Sequence, residues 1–192
     1  KDFSYIFDVK TGRITSMLYK GKELIKKGNA FNAWRAPLAN ETDEWAFYRS
    51  NNKHLSDFYG RQSAAEWYAT GLDRIKIRVV SFDAKKITDS IIEVNVVNVS
   101  DLPTGKGAFI NSYKYSISGS GEMTIAHTVI PDGDMPSWLP RIGTGWILSK
   151  SLINVEWYGR GPQENYPDRK SGYKTGIYKS TVREMYEPYL IP

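Results

Sequence analysis

Four long runs of this chain, residues 73–84, 90–100, 109–118 and 123–130, alternate apolar and polar side chains with a period of two. A helix would repeat its apolar positions every three to four residues. A period of two therefore places these side chains on the opposite faces of extended strands, one face packed and one wet. Antiparallel sheets carry that pattern, so the chain is predicted to be mainly β, a large antiparallel β-sandwich. In the second run Ile92, Val94 and Val96 share one face with Glu93 and Asn95 opposite, but Val97 and Val99 fall on the other parity. A bulge or a crossing between sheets near Val96 is expected there. Tyr113, Tyr115 and Ile117 alternate with Ser112, Lys114 and Ser116, and Gly119-Ser120-Gly121 then turns the chain into the next strand.

Shorter elements precede these runs. Phe7-Asp8-Val9 and Ile14 to Leu18 flank Lys10-Thr11-Gly12-Arg13, where Gly12 can supply the positive φ of a tight hairpin. A second reversal at Lys20-Gly21-Lys22 makes a short meander. Helix is scarce. Ser63-Ala64-Ala65-Glu66 reads as a capping box with Gly71 at the helix end, and Thr181-Val182-Arg183-Glu184 repeats the box with room for a turn or two before Pro188. Residues 39–60 mix acids, amides and aromatics without a period and read as a long irregular loop, as do residues 159–172. Without repeats or a linker, residues 1–192 are expected to form one domain.

Composition excludes several classes of function. The chain has no cysteine, which removes disulfides, thiolate metal sites and thiol nucleophiles and leaves the compartment open, cytoplasmic or periplasmic. No stretch reaches the roughly 20 apolar residues that cross a bilayer, so no membrane partner is expected. Lys1-Asp2-Phe3-Ser4 has neither an initiating Met nor a signal-peptide core and reads as internal to a longer protein. The 26 Lys and Arg against 21 Asp and Glu give a net charge of +5, spread over many segments, which argues against nucleic acid. Arg74, Lys76 and Arg78 alternate with Ile75, Ile77 and Val79 and are expected on the wet face of one strand.

Candidate chemistry is sparse. His127 shares parity with Met123, Ile125 and Val129 and reads as a half-buried packing residue; His54 lies in the irregular loop. Glycoside hydrolysis needs two carboxylates, about 5 to 5.5 Å apart for retention. Asp43 with Glu44, Asp132 with Asp134 and Glu164 with Asp168 are the neighbouring pairs, and Asp132-Gly133-Asp134, between Pro131 and Pro136, reads as a turn. Trp157 to Arg169 is the densest segment: Arg160, Gln163, Glu164, Asn165, Asp168 and Arg169 crowd beside Trp157, Tyr158 and Tyr166. That mixture, together with Arg35, could contact a sugar, stacking its ring and bonding its hydroxyls, or form a structural clasp that pins a loop to the sheet. No metal ligand set and no cofactor motif is recognised in the chain.

Four stretches carry a resemblance: Phe7-Asp8 to Gly12 with Gly21-Lys22-Glu23-Leu24; Phe31-Asn32-Ala33-Trp34-Arg35-Ala36-Pro37-Leu38; Trp157 to Arg169; and Ser180 to Pro192. In this order they resemble the C-terminal, small-chain domain of the large multidomain β-galactosidases of glycoside hydrolase family 2. The resemblance implies a supersandwich similar to the galactose mutarotase fold, at the end of a chain whose (β/α)8 barrel holds both catalytic glutamates. On that basis this fragment has no catalytic residue and is inactive alone. The loop after Arg35-Ala36-Pro37 would lie near the active-site mouth, making Asn40, Glu41, Asp43, Glu44 and Trp45 substrate-proximal. Where the family commonly has Asp-Asn-Asp, this chain has Ala39-Asn40-Glu41. Relatives also continue past Tyr189 to Pro192 and later supply an aromatic residue to the active site, so the sandwich is expected to be incomplete.

The same resemblance implies further partners: a β-galactoside or galactose bound through the intact enzyme, the barrel of the parent chain, other copies in a homo-oligomer, and Mg and Na ions in the parent. It gives the expected function, a non-catalytic domain of an enzyme hydrolysing terminal β-D-galactosides that contributes to the active-site rim, carbohydrate binding and assembly. Two other readings stay open: a stand-alone carbohydrate-binding module using Trp157 and Tyr166, and an aldose 1-epimerase-like enzyme with His127 as acid and a Glu as base.

Overall fold

A computed structural model describes residues 2–37, 41, 63–165 and 169–186. Its strands are β1 (Phe3–Asp8), β2 (Arg13–Tyr19), β3 (Lys22–Glu23), β4 (Ile25–Asn32), β5 (Lys76–Thr88), β6 (Ile91–Asp101), β7 (Gly107–Ser118), β8 (Met123–Gly133), β9 (Gly143–Leu148), β10 (Asn154–Gly161) and β11 (Lys174–Thr181). One α-helix, α1 (Ser63–Thr70), is followed by a 3-10 turn at Leu72–Arg74. The expectation of a mainly β, antiparallel protein with one short helix holds. The chain divides into two compact units, the first ending at Ile147 and the second beginning at Leu148.

In the first unit the four alternating runs become one antiparallel sheet in the order β5-β6-β7-β8, while β1-β2-β3 and β4-β9 form two smaller sheets. The inward faces meet: Ile14 and Ile25 of the smaller sheets pack with Val94, Val96, Tyr113 and Tyr115 of the large one. Each such side chain, once buried, contributes about 1.5–3 kcal/mol. The meander closes as its turn residues require. Gly12 adopts φ 65°, and a Cβ there would come within 2.6 Å of a Val96 methyl, so the hairpin tip rests directly on β6. Gly28 of β4 approaches β2 still more closely, since its Cβ would lie 1.9 Å from the Ile14 carbonyl oxygen.

Several local expectations need correction. The parity change in β6 does not move the core face to the other side: Val94, Val96, Asn98 and Ser100 are all buried, with Val99 of the other parity covered as well, while pairing with β7 runs without a shift. The register shift sits in the partner strand, between Val79 and Ser81 of β5, opposite Asn98 and Val97. Two buried polar residues on the core face thus mimicked a change of parity. Asp132-Gly133 extends β8 instead of turning, and the Asp134 amide donates to the Lys106 carbonyl at 2.9 Å. Arg74 precedes the strand and pairs with Asp73 at 2.8 Å, leaving Lys76 and Arg78 on the wet face of β5, Arg78 bonded to Asp101 at 2.7 Å.

In the second unit β10 and β11 pair antiparallel in continuous register. Trp157 and Tyr178, directly opposite, stack with ring centroids 5.5 Å apart. The second capping box is made as the spacing predicts: the Thr181 amide donates to Glu184 Oε2 at 2.9 Å, and the Glu184 amide to Thr181 Oγ1 at 3.2 Å. Those bonds hold the Glu184 carboxyl below the usual glutamate range.

Candidate functional site

The segment after β4 is shaped residue by residue. Asn32 Oδ1 accepts from the Trp34 amide at 2.9 Å, an Asx turn that bends the chain out of the strand. Ala33 is buried in a core cluster with Phe31, Trp67, Leu72, Leu102 and Phe109. Arg35 then meets Glu41 in a two-pronged ion pair, Nη1 to Oε2 and Nη2 to Oε1, both at 2.7 Å. The side chains are 22% and 19% exposed, so the pair is shielded far more than a surface bridge. The guanidinium lies over the indole of Trp67, 5.6 Å from the ring centroid. Trp34 meets Tyr68 edge-on at 5.0 Å.

Helix α1 carries Trp67 and Tyr68 into this arrangement. Gly71 ends it at φ 80°, its amide donating to the Trp67 and Tyr68 carbonyls. Glu66, expected to cap the helix, works at long range: its Oε1 accepts from the Ser137 amide at 2.7 Å and from Ser137 Oγ at 3.1 Å. The buried indole N–H of Trp67 donates to the Trp138 carbonyl at 2.8 Å. One helix turn therefore joins the Arg35–Glu41 arm to the loop after β8. Glu41, a substrate-proximal candidate, and Arg35, a candidate carbohydrate contact or clasp residue, come together here. Asn40, Asp43, Glu44 and Trp45 lie outside the described residues, as does His54. Trp67, Tyr68 and Ser137-Trp138 were missed, although Trp67 on a capped helix and a Trp between Pro136 and Pro140 were visible signals.

In the second unit Trp157 and Arg160 donate to backbone acceptors. Arg160 Nη1 donates to the Lys170 and Tyr173 carbonyls, each at 3.1 Å, and the Trp157 indole N–H to the Arg160 carbonyl at 3.2 Å. Arg169 Nη2 donates to the Tyr173 hydroxyl at 3.2 Å. Glu164 is exposed, Asn165 half-buried, and Tyr166 and Asp168 lie outside the described residues. These bonds connect Arg160 and Arg169 to Lys170 and Tyr173, just before β11.

His127 sits on the core face of β8. Its ring stacks on Tyr113 with centroids 4.0 Å apart and planes 10° from parallel, and Nε2 is 3.0 Å from Asn111 Oδ1. Asn111 also donates to Ser100 Oγ at 3.0 Å and to the Phe109 carbonyl at 3.1 Å. Burial lowers the imidazole below the ordinary histidine range, pushes Tyr113 well above the usual phenol range and pushes Tyr115 up to about 12. A histidine bonded to an amide and held in its neutral form serves packing better than proton transfer. An open cavity of about 330 Å³ between the β6–β7 turn and the end of β8 is bordered by Arg78, Asp101, Lys106 and Asp132. Among the described residues no group of three or more His, Asp or Glu side chains is placed to hold a metal ion.

Comparison with known proteins supplies the context. A family model described as "Beta galactosidase small chain" matches residues 1–192. A β-galactosidase of Priestia megaterium is 31% identical over 192 residues, covering 100% of this chain and 16% of the relative. A β-galactosidase of Vibrio cholerae is 30% identical over 186 residues, 97% of this chain and 17% of the relative. One of Halalkalibacterium halodurans is 28% identical over 206 residues, with coverage of 100% and 17%. The chain thus spans about one sixth of the length of the relatives it matches. With a family match running end to end over an antiparallel β fold, the chain belongs to the β-galactosidase small chain family.

Proposed function

We propose that this chain is a non-catalytic domain of a β-galactosidase that hydrolyses terminal β-D-galactosides, and that it contributes to the active-site rim, to carbohydrate binding and to assembly of the enzyme. The observation that carries the rim role is the Arg35–Glu41 pair, bidentate and stacked on Trp67. A charged pair shielded to this degree holds its segment in one geometry, as a positioning element beside a substrate must. The general acid and the nucleophile of such an enzyme belong to another domain of the parent, and this chain positions what surrounds them. Assembly fits the large sheet, in which β5 and β8 are edge strands among the described residues.

The test is steady-state kinetics of the full-length protein carrying this chain, with Arg35→Lys and Glu41→Gln. Either change breaks the bidentate pair, and kcat/KM for a β-galactoside is expected to fall about tenfold, which is about 1.4 kcal/mol of transition-state binding. Kinetics unchanged for both variants would remove the rim assignment.

A further inference from the structure

We propose that the outer face of the β5-β6-β7-β8 sheet is an interface with a second copy of this chain, related to the first by a two-fold axis that runs along the strands. The proposal rests on the assembly role given above and deepens it; it is independent of any substrate. Pairing across the sheet sets the residues in rows. Lys76, Asp101, Ala108 and Asp132 form one row on the face turned away from the core, and Arg78, Val99, Ile110 and Ile130 form the next. The face is apolar at this end: Val80 and Ile130 are 57% and 54% exposed and flank Val97, Val99 and Ile110. An exposed apolar patch with a charged rim marks a protein contact. The cavity of about 330 Å³ bordered by Arg78, Val99 and Ile110 opens on this face and gives it a hollow for a protruding side chain.

The distribution of charge selects the partner. On this face β5 carries Lys76, Arg78, Asp83 and Lys85, and the charge on β8 is Asp132, so one edge of the face is basic and the other acidic. A two-fold axis along the strands lays β5 of one copy over β8 of the other and each row over itself, as an isologous contact requires. Lys76 then faces Asp132 twice in the dimer, Val99 faces Ile110, and Ile130 lies over Arg78 at the margin of the cavity. No row sets like charges opposite: Asp83 faces Ala126, Lys85 faces Thr124, Asn95 faces Lys114 and Glu93 faces Ser116. An axis across the strands would instead lay basic β5 on itself. Among the described residues Arg78, Lys85 and Lys114 have acidic partners within the chain, whereas Lys76 and Asp132 have no ion pair there and are the charges left for another copy. The area suffices. Four strands about 4.8 Å apart, of at least 11 residues each, present roughly 600–700 Å². Two such faces reach the roughly 1,200–2,000 Å² of a specific contact.

The experiment uses the full-length protein carrying this chain, as wild type, Lys76→Asp, Asp132→Lys and the double variant with both changes. Sedimentation velocity over a concentration series gives the mass and the dissociation constant, and the unfolding midpoint is followed for each variant. A single reversal sets like charges opposite each other twice in the dimer and is expected to weaken association about tenfold or more. The double variant remakes the pair in swapped order and is expected to return within about threefold of wild type. Both residues are exposed, so midpoints stay close to wild type. Should a variant fail to fold, isotope-light and isotope-heavy wild-type copies are mixed and treated with a zero-length carbodiimide, and Lys76 must be recovered joined to Asp132 between copies. Within one chain the two stand on opposite edges of the sheet, about 14 Å apart and out of reach of such a reagent. Single variants that associate as wild type does, a double variant no tighter than the single ones, or absence of that cross-link overturns the proposal. The wild-type mass separates it from the assembly role: an oligomer that both single reversals leave intact removes this face and keeps the role, whereas a monomer removes both.

Discussion

Truncating Trp67 is predicted to unlatch the loop after β8 as well as to open the core. The side chain is 2% exposed and joins the cluster built on Phe31, Leu102 and Phe109. Its N–H satisfies the Trp138 carbonyl, and its ring supports Arg35. Removing a buried Trp side chain costs about 3–5 kcal/mol through lost transfer energy and the cavity left behind. Trp67→Phe keeps most of the apolar burial but removes the donor, so it is expected to cost about 1–3 kcal/mol. At about 2–4 °C per kcal/mol for a chain of this size, Trp67→Ala lowers the midpoint by about 6–20 °C. Denaturant unfolding followed by near-UV circular dichroism measures the loss. Amide hydrogen exchange at Ser137, whose N–H donates to Glu66, measures the unlatching. A loss below about 1 kcal/mol in Trp67→Ala, or unchanged exchange at Ser137, would refute the reasoning.

His127 has its pKa lowered by burial from the ordinary 6.5, so the unfolded chain takes up its proton first. Its stabilising effect is complete above about pH 6.5 and is lost as pH falls through the lower folded value. Wild type minus His127→Gln stability, measured from pH 8 down to pH 4.5, should therefore decline on acidification; a flat difference contradicts it. Asn111→Ala strands Ser100 Oγ and His127 Nε2 in or near the core and is expected to cost about 1–3 kcal/mol in urea unfolding, whereas less than about 0.5 kcal/mol would mean that the network is dispensable. Gly28→Ala forces a Cβ to within 1.9 Å of the Ile14 carbonyl and should cost about 3 kcal/mol or more; wild-type stability would disprove the close approach of β4 to β2.

Sheet structure was legible because alternation is a local signal. Tyr113, Tyr115 and Ile117 announce their face within five residues, and Gly12, Gly21 and Gly71 mark turns at positive φ. Contacts across long separations left no such trace. Glu66 stands at the spacing of a capping box, yet its carboxylate serves Ser137, 71 positions away. Asn98 and Ser100 look wet in sequence, yet both are buried on the core face, Ser100 accepting from Asn111 of β7, a partner that alternation within β6 could not reveal. Arg35 and Glu41 were singled out through family resemblance, but only the folded chain pairs them and sets Arg35 over Trp67. The Trp157–Arg169 segment marked the family while hiding its local function, because Arg160 is satisfied by backbone carbonyls that any sequence would offer.

The central claim, that this chain supports β-galactoside hydrolysis without performing it, is tested most directly by turnover of o-nitrophenyl β-D-galactoside. The full-length protein carrying the chain and residues 1–192 alone would be assayed at equal molar concentration. The account predicts saturable release of o-nitrophenol by the full-length protein and none above buffer by the isolated chain. Turnover by residues 1–192 alone, or its absence from the full-length protein, would contradict it.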